Sequence, residues 1–141
     1  MQRAPMPVVY AISTEDRLIR AFATGIIRAA DLHGLIKALL ADPELVPGAR
    51  GLYDSRLAEP EISVMELAEV ASQARKLLNR GLGRIALVAQ SQTTYRVEQT
   101  FAILARAMGI DVEAFRDLSV AEAWLREDPN GPERSERLLP R

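Results

Sequence analysis

Two short polar clusters in this sequence could do chemistry. Asp54, Ser55 and Arg56 set a carboxylate, a hydroxyl and a guanidinium in succession after one strand-like run, and Ser91, Thr94 and Tyr95, with Gln90 and Gln92 among them, follow a second and more apolar run. In open α/β sheets, ligands collect outside the carboxyl ends of parallel strands, so these positions form the candidate ligand- or partner-binding set. The same short side chains also shape turns and cap helices, which is the competing use for Asp54, Ser55 and Ser91 to Thr94. Glu59, Glu61, Glu66 and Glu69 crowd one loop and helix start, as an acid–base pair or cation site would. Acidic residues gather at helix amino termini for electrostatic reasons alone, however, and a solvated face is the expectation here. No catalytic residue is expected. A serine nucleophile needs a base, the single histidine, His33, sits within a helical stretch, and no Gly-x-Ser-x-Gly elbow is present. Gly81-Leu-Gly83 precedes a strand where a phosphate cradle would open a helix, so it reads as a helix stop.

The composition narrows the classes further. The chain of 141 residues has no cysteine, which removes disulfides, thiolate ligands and thiol chemistry, and one histidine removes a multi-histidine site within the chain. No metal and no cofactor is expected. Eighteen basic residues against nineteen acidic ones leave a net charge of −1, which gives no general drive toward nucleic acid. The longest clean apolar run, Ile85 to Ala89, is far short of the roughly 20 residues that cross a bilayer. The proline-broken amino terminus is unlike the apolar segment of a secretion signal. A cytoplasmic location is therefore expected.

Element by element, Met6 to Ser13 alternates as a strand, Thr14-Glu15-Asp16 turns, and Arg17 to Thr24 completes a hairpin that Gly25 stops. From Arg28 to Ala41, Leu32, Leu35, Ile36, Leu39 and Leu40 recur at helical spacing until Asp42-Pro43. That wide stripe is mostly core, but it could also open onto an apolar ligand pocket or be buried in a homodimer. Arg50 to Asp54 reads as a short strand and Ser55 to Glu61 as a loop. The capping box Ser63-Val-Met-Glu66 starts a second helix with Val64, Leu67, Ala68, Ala71, Ala74 and Leu78 inward. Arg84 to Gln90 is nearly continuous in apolar residues, as expected of a strand covered on both faces and at the centre of the sheet. Thr94 to Met108 forms a helix with Val97, Phe101, Leu104, Ala105 and Met108 inward. Ile110 to Arg116 alternates as an edge strand, and Ser119-Val-Ala-Glu122 opens a last helix that docks Trp124 and Leu125. Residues 1–127 then form one domain and residues 128–141 a flexible tail. The order β-β-α-β-α-β-α-β-α implies an α/β fold with a mixed sheet of about five strands covered by helices.

That order, with Gly51-Leu-Tyr-Asp54, Gly83-Arg-Ile-Ala-Leu-Val88, and Val112-Glu-Ala-Phe-Arg-Asp117 leading into Ala121-Glu-Ala-Trp-Leu125, resembles the SpoIIAA-like (STAS/SEC14-type) family of small bacterial proteins over about residues 6 to 127. The resemblance implies a non-catalytic scaffold that binds a partner protein or, as in lipid-carrier relatives, a small apolar ligand; a homodimer is expected. Better-known relatives are switched by phosphorylation of a serine in an Asp-Ser-Ser-Gly-Leu-Gly motif. Asp54-Ser55 matches only its first two positions, Arg56-Leu-Ala-Glu-Pro60 replacing the rest, so Ser55 is the one phosphorylation candidate.

Overall fold

In a computed structural model, residues 7–127 are described. The chain order is β1 (Val8–Ser13), β2 (Leu18–Ile27), α1 (Ala29–Ala41), β3 (Arg50–Pro60), α2 (Val64–Ala74), a 3-10 turn (Arg75–Arg80), β4 (Ile85–Val88), α3 (Gln92–Ala107), β5 (Val112–Phe115) and α4 (Leu118–Arg126). The expected element order is the observed one. The tail expected at residues 128–141 lies outside the described residues.

The five strands form one sheet in the order β1-β2-β3-β4-β5. β1 and β2 pair antiparallel as the hairpin, and every later neighbour is parallel. The middle of the sheet is therefore β3, not the apolar β4. β4 reads as central because both its faces are covered: Leu87 packs in the layer under α1 to α3, while Ala86 and Val88 pack under α4 with Ala121 and Leu125. Burial on two faces makes a strand uniformly apolar wherever it stands in the order.

Four local readings change. β2 continues past Gly25 to Ile27, and β3 continues through Ser55 and Arg56 to Pro60, where a loop is expected from the sequence. The cause is a bulge. Phe22 pairs with Asp54 but Thr24 with Leu57, so Ala23 of β2 stands opposite both Ser55 and Arg56. One extra residue breaks the two-residue period, and the strand signal is lost at the point where the strand bends. In α2, Val64 is exposed while Val70 is buried with Leu67, Ala71 and Ala74. The Ser63–Glu66 capping box is present as expected, Ser63 Oγ accepting from Glu66 N at 3.1 Å and Glu66 Oε1 from Ser63 N at 2.9 Å. In α4 the cap is Asp117, whose Oδ1 accepts from Ser119 N at 2.8 Å and Val120 N at 3.2 Å, so Ser119 is inside the first turn.

Gly81 ends the 3-10 turn at φ +83, a left-handed conformation that side chains disfavour, and a Cβ there would meet Pro47 Cα at 2.7 Å. The Gly81 carbonyl also accepts from Gly48 N at 2.8 Å, locking the two loops together. Gly81→Ala is expected to destabilise by about 2 kcal/mol, from backbone strain plus displacement of the Pro47 loop. Urea unfolding checks this, and a loss under about 0.5 kcal/mol, the size usual for an indifferent surface site, would show that the loops yield freely. Among the described residues, no helix is long and apolar enough to cross a membrane.

Candidate functional site

The bulge divides the first polar cluster between the two faces of the sheet. On the α4 side, Arg56 grips Asp54 with a fork, Nε to Oδ1 at 2.9 Å and Nη2 to Oδ2 at 2.8 Å, and Arg56 N adds a bond to Oδ1 at 3.1 Å. These bonds hold the Asp54 carboxyl below its ordinary pKa. The pair borders a surface depression with Phe22, Thr24, Leu57 and Gln90. Arg116 reaches the same carboxyl end of the sheet, donating to Gln90 O and to Gln92 Oε1, each at 2.9 Å. Asp54 and Arg56 thus satisfy each other.

Ser55 points the other way and is only 2% exposed. Its hydroxyl lies 2.9 Å from the Val88 carbonyl oxygen and also contacts Oε2 of Glu98 on α3. A kinase would have to open β3 from α3 to reach that oxygen. The second cluster begins at the amino end of α3. Ser91 caps the helix, accepting from Thr94 N at 3.1 Å and donating to Thr94 Oγ1 at 2.9 Å, and buried Thr94 donates to Ala58 O at 3.4 Å. Tyr95 is half-buried on the first turn. The candidate set therefore does not converge on one point: Ser55 and Thr94 face the helix layer, while Asp54 and Arg56 face α4.

What Ser55 and Thr94 do share is an apolar cavity. It has a volume of about 140 Å³ and lies between the sheet and helices α1, α2 and α3. Ala21, Ile19 and Leu87 supply its sheet wall, Leu35 and Leu39 come from α1, and Val70 from α2. Among the described residues, the polar side chains that line it are Tyr53, Ser55, Thr94 and Glu98. The α1 stripe is core, as expected, with Ile36 and Leu39 buried, and Leu32, Leu35, Ile36 and Leu39 also line this space.

Glu98 is absent from the sequence candidates. It lies on the inward stripe Thr94, Glu98, Ala102 and Ala105, rotated from the larger apolar stripe through Val97, Phe101 and Leu104. The signal is the helical spacing of Thr94, Glu98, Ala102 and Ala105, a face of small and polar residues that a search for large apolar side chains passes over. Burial pushes the Glu98 carboxyl up from 4.5 to about 8, outweighing the contact with Ser55. Burial first, and then Glu98, raise the Tyr53 hydroxyl as well.

The other carboxylates behave as a solvated face. Glu59, Glu61, Glu66 and Glu69 are exposed, and Glu61 meets Arg28 at 3.3 Å in the open. His33 pairs through Nδ1 with the Gln73 side chain on α2, away from the cavity wall.

No protein-family model and no curated protein matches this sequence. Among solved structures, an uncharacterized protein from the DUF3478 family with a SpoIIAA-like fold, from Shewanella loihica PV-4, is similar at TM-score 0.56 and 18% identity, the match covering 89% of this chain and 98% of that one. Identity that low speaks to architecture alone. With its leading hairpin, parallel β2 to β5 and covering helices, the chain has a SpoIIAA-like α/β fold.

Proposed function

We propose that this protein is a non-catalytic binding module whose ligand is a small, largely apolar molecule held between the sheet and α1 to α3. The observation that carries the reading is the cavity of about 140 Å³ with almost wholly apolar walls. Apolar cavities near 150 Å³ stay dry and take up a single aromatic ring, which sets the scale of the occupant. The absence of chemistry is part of the proposal, and two features support it. A carboxyl whose pKa stands at about 8 keeps its proton at neutral pH, so Glu98 is a poor base for the Ser55 hydroxyl beside it. The remaining acid–base candidates, Glu59, Glu61 and His33, do not line the cavity.

The test fills the space. Ala21 lines the cavity from β2 and is buried. Ala21→Leu should raise stability by about 1–2 kcal/mol, as added methyl groups occupy empty volume. It should also weaken the binding of benzene, used as a generic apolar probe, at least tenfold in titration calorimetry. Failure of the unaltered protein to bind benzene at all would sink the proposal. Native mass spectrometry of protein taken from its own host is the companion measurement, in which mass released on denaturation identifies the ligand directly.

A further inference from the structure

We infer that the outward face of β1 and β2, on the side of the sheet away from the cavity, is where a second copy of this chain docks, the two sheets packing face to face about a two-fold axis.

Strand alternation builds this face. In β2, Ile19, Ala21, Ala23 and Ile27 turn toward α1 to α3 and are buried, which sends Phe22, Thr24 and Ile26 outward. Val9 of β1 stands across from Phe22, and Leu57, the first residue of β3 after the bulge, stands across from Thr24. On this side α4 covers β3 to β5 and reaches β2 at Leu18 and Arg20, leaving the rest of the hairpin bare. A sheet face left to water is ordinarily polar. Here Val9, Phe22, Ile26 and Leu57 are 51%, 48%, 47% and 79% exposed, and the pairing of the strands makes them neighbours. Exposed apolar residues scattered singly carry no meaning, but a contiguous patch marks an interaction surface.

Charge and area point to the occupant. Arg56 is forked onto Asp54 and Arg20 meets Glu122 of α4 at 3.2 Å, while Glu59 stands at the rim beside Ile26. Among the described residues, then, no unpaired charge lies in the middle of the patch to select an acidic or a basic partner. An apolar face of that kind is complementary to itself, which is the condition for a two-fold contact. The four apolar side chains leave on the order of 400 Å² accessible, and with Ala11, Thr24, Arg20, Arg56 and Gln90 around them the face reaches the roughly 800 Å² that each partner gives to a standard interface. Residues 128–141 bring only Leu138 and Leu139 as large apolar side chains, and residues 1–6 only Met1 and Met6. Neither end matches four on the face, as a second copy does. The α1 stripe, the dimer surface that the sequence pattern allows, is core and unavailable for this role.

The experiment is sedimentation equilibrium of the full chain over roughly 1–100 µM, the range in which an interface of standard size but ordinary quality becomes populated. The unaltered protein is expected at twice its chain mass of 15.6 kDa. Leu57→Glu and Phe22→Glu each place a charge at an exposed position of the face, so folding survives, as circular dichroism would verify, and dimerisation should weaken at least tenfold. Ile103→Glu is the control: Ile103 is 63% exposed on α3, on the other side of the sheet, and the dimer should persist. A dimer indifferent to both Leu57→Glu and Phe22→Glu would overturn the inference, since the contact then lies elsewhere. So would a monomer throughout the range. In that case the full chain carrying Leu138→Ser and Leu139→Ser identifies what had taken the face: dimers appearing only in that variant would assign it to residues 128–141, and a persistent monomer would leave the face to a different protein. Neither result touches the cavity reading, which rests on the opposite side of the sheet.

Discussion

Stability is expected to fall by about 3 kcal/mol between pH 4.5 and pH 7 in the unaltered protein relative to Glu98→Gln, because one carboxyl resists ionisation in the folded state. In the unfolded chain Glu98 loses its proton near 4.5; in the folded protein it holds it to about 8. Below 4.5 both states are protonated and the group makes no difference. Across the window the unfolded state binds fewer protons, so stability declines as pH rises, and above about 8 the loss is complete and constant. The side chain is only 6% exposed, so solvent screens little of this.

Asp42, Asp54, Glu66 and Asp117 have the opposite sign. Their pKa values are lowered by hydrogen bonds, from the Glu44 backbone, Arg56, the Ser63 backbone and Ser119 respectively, and their contributions fade as pH drops through those values. The stability maximum is therefore expected on the acid side of neutrality. Urea unfolding across pH 4 to 9 reads the result, and the difference between the two proteins isolates Glu98 from the surface groups. A flat difference would mean that Glu98 is hydrated or ionised in the folded state.

The fold was far more legible in the sequence than the site, and the reasons are physical. Helix α1 carries its stripe at regular spacing and stops at Asp42-Pro43; α2 announces its start through Ser63 and Glu66; the hairpin shows as two alternating runs around Thr14-Glu15-Asp16. Each of these is a local signal. Strand order is not local, and burial of β4 on both faces gives the same apolar run in a central strand as in one beside the edge. The polar cluster at Asp54-Ser55-Arg56 was visible by residue type. Its division between two faces was not, because that depends on the register of β3 against β2, where Ala23 stands opposite two residues. Glu98 escaped for a related reason: a carboxylate on a helix is exposed by default, and only the packing of α3 over Ser55 turns it inward.

The second large effect is expected at Arg84. This guanidinium is 2% exposed, just ahead of β4, and it ties α4 to the sheet. Nε donates to Asp111 Oδ2 at 2.9 Å and Nη1 to the Trp124 carbonyl at 2.8 Å, Glu127 lies 3.5 Å from Nη1, and the guanidinium carbon stands 4.3 Å from the centre of the Trp124 ring, which itself packs on Phe115. Nη2 has no hydrogen-bond partner among the described residues, so the arrangement is satisfied there only in part and leaves little slack for losing more. α4 spans nine residues, too few to hold a helix in water without tertiary contacts. Arg84→Ala removes the carbonyl bond, the ring contact and the volume beneath Trp124 together, and is expected to cost about 3–5 kcal/mol. Arg84→Lys keeps the charge but loses the planar fork, and should fall between the two. Because Trp124 is the only tryptophan, its emission reports α4 alone. In Arg84→Ala the emission should shift to the red at urea concentrations below the main unfolding transition seen by circular dichroism. Coincident transitions and a loss under about 1 kcal/mol would instead assign the anchoring of α4 to its own apolar residues, Ala121 and Leu125 packed on Ala86 and Val88.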